Sequence, residues 1–171
     1  NTDWYYIGFR KNGSTDNRPN KAFAHGCFGV AIGCDTSQLC EIYLQNSACY
    51  TYLTGYITDG CTFNTNGTDV SLSSIDAWID LAALPANSIM GFIEVDTSVS
   101  GGTHYGLRKN GSSEDYSAYI VAHKAWSFVE CDSSRIIEGK IDNLGNDFFV
   151  VGYATAVVGG AFVGSRGFIM G

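Results

Sequence analysis

The residues that could carry acid–base or nucleophilic chemistry are few in this chain. Its three histidines are His25, His104 and His123. Nucleophilic hydrolysis needs a nucleophile, a base and a group that orients the base, and no Gly-x-Ser-x-Gly turn is present to expose a serine. His25 and His123 occupy equivalent places in an internal repeat, and each enters an apolar segment. This favours a structural role, in which the imidazole bonds to a loop or a sheet edge.

The acidic residues suggest two further kinds of site. A pair of carboxylates could hydrolyse glycosides, but the neighbours of Glu41 and Glu138 alternate between apolar and polar, which places both on an outward face. Side-chain oxygens in loops could bind Ca²⁺, and the candidates are Asp132, Asp142, Asn143 and Asp147. The spacing of these residues matches no recognised Ca²⁺-binding loop. The sequence therefore predicts no catalytic residue, no metal site and no cofactor.

The six cysteines allow two interpretations. They are Cys27, Cys34, Cys40, Cys49, Cys61 and Cys131. An even number in a small chain favours disulfides of an extracellular protein, and free thiols are the alternative. Cys34 and Cys40 flank a turn-like segment and could face each other across a hairpin. The chain begins with Asn1 rather than Met, so we expect a secreted, N-terminally processed protein at the cell surface.

Composition excludes several classes of partner. The net charge is −7 and the pI about 4.7, with no basic cluster, which argues against nucleic acid. No apolar run reaches the roughly 18 residues of a membrane span. Apolar residues make up 45% and aromatics 13% of the chain, which excludes intrinsic disorder.

Three Asn-x-Ser/Thr sequences are candidate glycosylation sites, at Asn12, Asn66 and Asn110. Asn12 and Asn110 each begin an Asn-Gly pair of the kind that is typical of a tight turn. Asn66, which also precedes a glycine, lies in the polar segment 59–74 that is predicted as a linker, and it is the better candidate.

An internal repeat organises the chain. The segment 8–14 (GFRKNGS) returns as 106–112 (GLRKNGS), and His25 and His123 keep the same offset. Further along, Cys34-Asp35 matches Cys131-Asp132, and residues 55–58 match 152–155. Because order and spacing hold over about fifty residues, the two halves are related by duplication.

Each copy is predicted to be all-β. Short segments rich in β-branched and aromatic residues are typical of strands, and they occur at 4–10, 27–33, 39–44 and 49–57, and again at 120–129, 134–141 and 148–153. For Trp78–Ala82 a strand is favoured over a helical turn. We predict two tandem antiparallel β-sandwich or jelly-roll-like domains. The first repeat spans residues 1–58, a polar linker 59–74, the second repeat 75–155 and a C-terminal tail 156–171.

The two repeats are unequal. Two additional strand-like segments, 78–81 and 89–95, precede the shared part of the second repeat, whereas the first repeat begins at Trp4. The C-terminal tail is apolar, carries one charge at Arg166, and belongs to neither copy. Within it, Gly167-Phe168-Ile169 echoes Gly91-Phe92-Ile93.

Several motifs together resemble a small β-domain found in phage virion and tail proteins and in bacterial extracellular structural proteins. These motifs are Trp78-x-Asp80-Leu81, residues 106–112, His123 to Trp126, Ile137-Glu138-Gly139 and residues 148–153. The resemblance covers 75–155, and covers 4–58 as a truncated copy whose end is altered to Tyr52-Leu53-Thr54-Gly55-Tyr56. It implies a structural or adhesive module and brings no catalytic motif.

The unequal repeats predict assembly. An incomplete sheet and an apolar tail are both unfavourable in water, and the tail could complete the first repeat of its own chain or of the next chain. The second contact is head to tail and builds a helical fibre of identical subunits by strand addition. The predicted inserted residues are Phe162, Val163, Phe168, Ile169 and Met170; the predicted acceptor residues are Trp4, Tyr6 and Phe9.

The leading hypothesis is thus a non-enzymatic, pilus-like extracellular fibre subunit. The alternative is a carbohydrate- or receptor-binding module of a phage tail or adhesin, in which Tyr43, Tyr50 and Tyr52 would stack against surface glycans; a core or interface role for these aromatics is favoured. A small hydrolase is a third hypothesis, and the sequence does not show the convergent groups that it needs.

Overall fold

The computed structural model describes residues 4–23, 29–47, 49–120 and 124–156. This part of the chain is all-β, and it contains no helix that could cross a membrane. The strands are β1 (Trp4–Lys11), β2 (Asn20–Phe23), β3 (Cys40–Leu44), β4 (Cys61–Asp69), β5 (Ile79–Asp80), β6 (Ser88–Thr97), β7 (Thr103–Lys109), β8 (Ala118–Ile120), β9 (Lys124–Glu130), β10 (Ile137–Ile141) and β11 (Asn146–Thr155).

The strands form three antiparallel sheets in the described residues. Sheet I has the order β2-β1-β3, sheet II the order β5-β10-β7-β8, and sheet III the order β4-β11-β6-β9. The core lies in the second half of the chain, where side chains of sheets II and III meet. Its most buried members include Phe148, Ile93 and Ile137, which are 0%, 1% and 2% exposed. Two sheets that share one apolar core form a β-sandwich-like arrangement.

Sheet I pairs its strands in the same register as the matching part of sheet II. Arg10 lies opposite Glu41 in the β1–β3 ladder, and the repeat-equivalent Arg108 lies opposite Glu138 in the β7–β10 ladder. The other edges agree as well, because the pairs 5–22 and 6–21 correspond to 103–120 and 104–119. The repeated sequence therefore forms the same three-stranded ladder twice. Among the strands that the structure describes, only those of the second ladder include a fourth, β5, on the free edge of β10.

Two sequence-based predictions of local structure are wrong. The polar segment 59–74, predicted as a linker, contains β4, which pairs with β11. It is an edge strand, and its exposed polar side chains, at Thr62, Thr65, Asn66 and Thr68, suit a strand at the border of a sheet. Conversely, residues 49–57 were predicted as a strand and have no ladder partner among residues 4–23, 29–47, 49–120 and 124–156. A strand without a neighbour leaves its N–H and C=O groups to water.

The other predicted strands vary in outcome. Those over 4–10, 39–44, 89–95, 134–141 and 148–153 correspond to β1, β3, β6, β10 and β11. The segment 78–82 contributes only the two residues of β5. Of the segment 27–33, residues 29–33 carry no strand, and the remainder lies outside the described residues.

Candidate functional site: an unpaired segment of the first repeat

The clearest difference between the repeats lies in the segment that ends each of them. In the second repeat this segment is β11, which pairs with β4 on one side and with β6 on the other. Its counterpart in the first repeat is residues 49–58, which the structure describes without any strand. We call residues 49–58 the unpaired segment.

The unpaired segment exposes large apolar and aromatic side chains. Their exposed fractions run from 62% to 87%, in Tyr50, Tyr52, Leu53, Tyr56 and Ile57. On the adjacent strand β3, Ile42 and Tyr43 are 47% and 57% exposed. Contiguous exposure on this scale marks an interaction surface or an aggregation hazard in a soluble protein.

The equivalent glycines Gly152 and Gly55 also differ in how closely other atoms pack around them. A Cβ added to Gly152 would lie 2.5 Å from the carbonyl oxygen of Thr62 and 2.9 Å from Cδ2 of Phe92, so β4 and β6 pack directly on this glycine. A Cβ added to Gly55 would meet nothing within 4 Å in the described part of the chain. The backbone is therefore enclosed in one repeat and open in the other.

An equivalent ion pair is also covered in one repeat and open in the other. Arg108 Nε donates to Glu138 at 2.6 Å, and the two side chains are 15% and 14% exposed. The Trp78 ring covers this pair, with the Arg108 guanidinium 4.0 Å from the ring centroid. In the first repeat the pair of Arg10 and Glu41 is 41% and 39% exposed.

A cavity of about 440 Å³ lies beside this exposed ion pair. Its walls come from β1 and β3, from residues 30–33, and from the outer side of sheet III. Both charged and aromatic groups line it, including Arg10, Glu41, Phe63 and Trp126.

Arg18 fixes the first repeat against sheet III. Its Nε donates to Glu94 at 3.1 Å and its Nη2 to Asp16 at 2.8 Å, and the guanidinium lies 4.0 Å from the centroid of the Phe149 ring. Glu94 also accepts a hydrogen bond from the buried Lys124 at 2.7 Å. Burial by itself lowers the pKa of Arg18, but the hydrogen bond and charge of Glu94 outweigh it and raise that pKa. A network of charged side chains thus joins the first repeat to sheet III.

The asparagines of the repeated turns are bound to aspartates. Asn12 donates to Asp35 at 2.5 Å and Asn110 donates to Asp132 at 2.8 Å. The hydrogen bond from Asn12 lowers the pKa of Asp35, and the backbone hydrogen bond from residue 136 lowers that of Asp132. Gly13 and Gly111 follow at φ of 81° and 78°, which glycine adopts without strain. These contacts support the turn interpretation of both sites.

Asn66 lies on β4 rather than in a linker. Its Oδ1 accepts hydrogen bonds from Ser14 Oγ and from the Thr15 backbone, both at 2.9 Å. Asn66 is exposed. Glycosylation at Asn12, Asn66 and Asn110 stays a prediction.

The described histidine is tied to one carboxylate. His104 Nδ1 donates to Asp142 Oδ2 at 2.9 Å, and the His104 backbone N–H donates to Oδ1 of the same residue at 2.9 Å. Desolvation raises the pKa of Asp142, but hydrogen bonds from Thr103 and His104 prevail and lower it. The Thr103 hydroxyl bonds to Asp142 as well, and the imidazole lies 5.1 Å from the Tyr119 ring, centroid to centroid. His25 and His123 lie outside the described residues.

The cysteines are free wherever the structure describes them. Cys34, Cys40, Cys49, Cys61 and Cys131 form no disulfide, so the predicted bond between Cys34 and Cys40 is absent. Burial raises the pKa of the thiols of Cys61 and Cys131. Cys27 lies outside the described residues. Within those residues, no group of three or more His, Cys, Asp or Glu side chains is arranged to hold a metal ion.

The predicted assembly residues fall in different places. The five tail residues, Phe162, Val163, Phe168, Ile169 and Met170, lie outside the described part of the chain. Trp4 lies on β1 opposite Phe23, Tyr6 is 37% exposed, and Phe9 is half-buried opposite Ile42. Sequence reasoning did not single out the unpaired segment. The signal was available, because residues 55–58 align with 152–155 of a strand that has two neighbours.

Comparisons with protein-family models, with curated proteins and with solved structures find no match for this chain.

Proposed function

We propose that this chain is a non-enzymatic structural subunit that assembles head to tail into an extracellular, pilus-like helical fibre. Its two halves are copies of one sandwich or jelly-roll-like domain, and the C-terminal tail of one subunit adds a strand to the incomplete first repeat of the next. One observation carries the proposal: no strand of the described residues pairs with the unpaired segment, whereas β11, its counterpart, lies between two strands.

The energetics favour covering this surface. Burying apolar area stabilises by about 25 cal/mol per Å², and an added strand also satisfies the backbone groups of the segment it joins. In strand addition, main-chain hydrogen bonds supply affinity and alternate side-chain pockets supply specificity. The exposed Leu53 and Ile57 offer such apolar contacts.

The sequence provides an apolar strand that fits this role. Residues 156–171 carry a single charge, at Arg166, and include Phe162, Phe168 and Ile169. A contact between this tail and the first repeat uses two different surfaces of the molecule. Contacts of that kind propagate into filaments unless the rotation between subunits closes a ring.

The proposal is tested by negative-stain electron microscopy and size-exclusion chromatography of the full chain beside a chain lacking residues 159–171. The full chain should form uniform filaments, and the truncated chain should not. A full-length Ile169→Asp variant keeps the length of the tail and should also fail to polymerise. Filaments formed by the truncated chain would exclude tail-mediated assembly.

The exposed tyrosines favour a second candidate function. Tyr50, Tyr52 and Tyr56 present ring faces of the kind that stack on sugars, and the cavity beside Arg10 and Glu41 adds polar groups. This candidate is a carbohydrate- or receptor-binding module. It predicts a soluble monomer or trimer that binds a glycan array, and loss of binding on Tyr52→Ala.

A further inference from the structure

We propose that residues 164–171 of a neighbouring copy take the place of β6 in the first repeat, with Phe168 opposite Gly55 of the unpaired segment. This inference rests on the proposed fibre, and it specifies the strand register of the contact between neighbouring subunits.

The topology of the second repeat identifies the missing strand. In sheet III, β6 is central and pairs with both β11 and β9. The counterpart of β11 is the unpaired segment, and in the counterpart of β9, residues 29–33 also carry no strand. Both segments lack a ladder because the strand that would join them is missing from the described residues. The donor should therefore resemble β6.

The packing of β6 on β11 sets a specific requirement. Phe92 of β6 lies opposite Gly152, and its ring contacts the rings of Phe63 and Phe128 at centroid distances of 5.1 and 5.0 Å. This close approach needs glycine, since a Cβ at Gly152 would lie 2.9 Å from Phe92 Cδ2. Gly55 is the equivalent glycine. Its open space is where an aromatic side chain of the donor would fit.

The tail contains the matching sequence. Gly167-Phe168-Ile169 repeats Gly91-Phe92-Ile93. Gly91 pairs with Tyr153 and Ile93 with Val150. Transferred to the first repeat, these pairs place Gly167 opposite Tyr56 and Ile169 opposite Leu53.

The environments of the β6 residues fit the tail residues. Ile93 is 1% exposed in the core, so an isoleucine in its place gains an apolar pocket. In the second repeat a Cβ at Gly91 would lie 2.8 Å from Ile137 Cδ1, and Gly167 is the same small residue. The tail therefore repeats the residue types of β6 at these three positions.

The start of the tail favours a neighbour over the chain's own first repeat. Thr155 N donates to the Gly60 carbonyl at 2.8 Å, which prolongs the β4–β11 ladder. A tail that continued this ladder would place Val157 opposite Thr58 and Phe162 opposite Leu53, leaving Gly160 opposite Gly55. In the β6 register Phe168 instead lies opposite Gly55, and the chain's own tail reaches that register only by leaving the ladder that Thr155 prolongs. The tail of a neighbour is not held to this ladder.

Photo-cross-linking of full-length chains tests the register. A chain with p-benzoylphenylalanine in place of Phe168 is assembled from a mixture of isotopically light and heavy subunits, irradiated, and mapped by mass spectrometry. The expected product joins position 168 to residues 54–56 of a different subunit. The matched control carries the same group in place of Phe162 and should not label residues 54–56.

A pair of glycine variants provides an independent readout. Gly55→Val should raise the concentration needed for fibre formation about 5- to 150-fold, because overpacking costs about 1–3 kcal/mol. Gly101 likewise has no atom within 4 Å of a Cβ in the described residues, and Gly101→Val should leave assembly unchanged.

Each contrary outcome is informative. Cross-links between subunits that avoid residues 54–56, together with unaffected assembly of Gly55→Val, would overturn the register and leave the fibre standing. Cross-links to residues 54–56 within one subunit would overturn the exchange between neighbours, and with it the fibre.

Discussion

Alanine at the two equivalent glycines gives the most direct check on the difference between the repeats. A Cβ at Gly152 would be 2.5 Å from a β4 carbonyl oxygen and 2.9 Å from the Phe92 ring. Neither the strand backbone nor a ring that is 3% exposed can move aside freely. Gly152→Ala should therefore carry an overpacking cost of about 1–3 kcal/mol. In a chain of this length, that lowers the melting temperature by about 2–12 °C.

Gly55→Ala should behave as an ordinary surface substitution in the same assay. With nothing within 4 Å of the new methyl group among the described residues, its effect on the unassembled subunit should stay within about 0.5 kcal/mol. Both variants are measured by urea unfolding of freshly purified monomer, followed by tryptophan fluorescence. The difference between the two midpoints is the quantity of interest.

Two outcomes would refute this reasoning. An equal loss of stability in both variants would mean that residues 49–58 are already packed in the monomer. No loss in either would mean that β4 and β6 do not enclose Gly152 as described. Neither result depends on whether the protein forms fibres.

Three further predictions follow from the charged groups. Glu138→Gln should lower the unfolding free energy by about 1–3 kcal/mol, while Glu41→Gln, in an exposed pair, should cost less than about 1 kcal/mol; denaturant unfolding compares the two. Arg18→Ala should cost about 1–3 kcal/mol and speed hydrogen exchange in β1, because Glu94 loses a partner; unchanged exchange would contradict a fixing role. Desolvation raises the pKa of Asp147, helped by nearby acids, so its ionised form opposes folding and stability falls as the pH rises through that pKa. Asp147→Asn should thus raise the melting temperature at pH 7 and lose this advantage below the ordinary pKa of 3.8; an equal gain at both pH values would argue against titration.

The repeat predicted more of the structure than local propensity did. The alignment of 8–14 with 106–112 makes Arg10 equivalent to Arg108, and the alignment of Cys34-Asp35 with Cys131-Asp132, whose offset is one residue smaller, makes Glu41 equivalent to Glu138. The two ladders have that common register. The turn chemistry of Asn-Gly was readable too, since glycine at positive φ is a local property. Repetition is informative because it constrains pairing, which a single segment does not.

The features that sequence reasoning missed depend on distant partners. Residues 61–69 are polar enough to suggest a linker, and they form a strand because β11 offers an edge. Residues 49–57 have strand-like composition, yet within the described part of the chain they pair with no strand. The contacts of Arg18 with Glu94 and Phe149 join residues that are far apart in the sequence. No local sequence pattern predicts such contacts.

The common register of the two ladders creates a hazard during folding. Strand β3 could pair with β7, since it carries the same complementary charge as β10, and tandem repeats are prone to such misassembly. The residues that differ between the copies oppose this exchange. Gly139 of β10 lies under the Phe148 ring, where a Cβ would be 2.8 Å from Cε2, and the equivalent residue of β3 is Ile42. If β3 paired in the place of β10, the Ile42 side chain would clash with the buried Phe148 ring. Gly139 therefore opposes the exchange of strands between the two repeats.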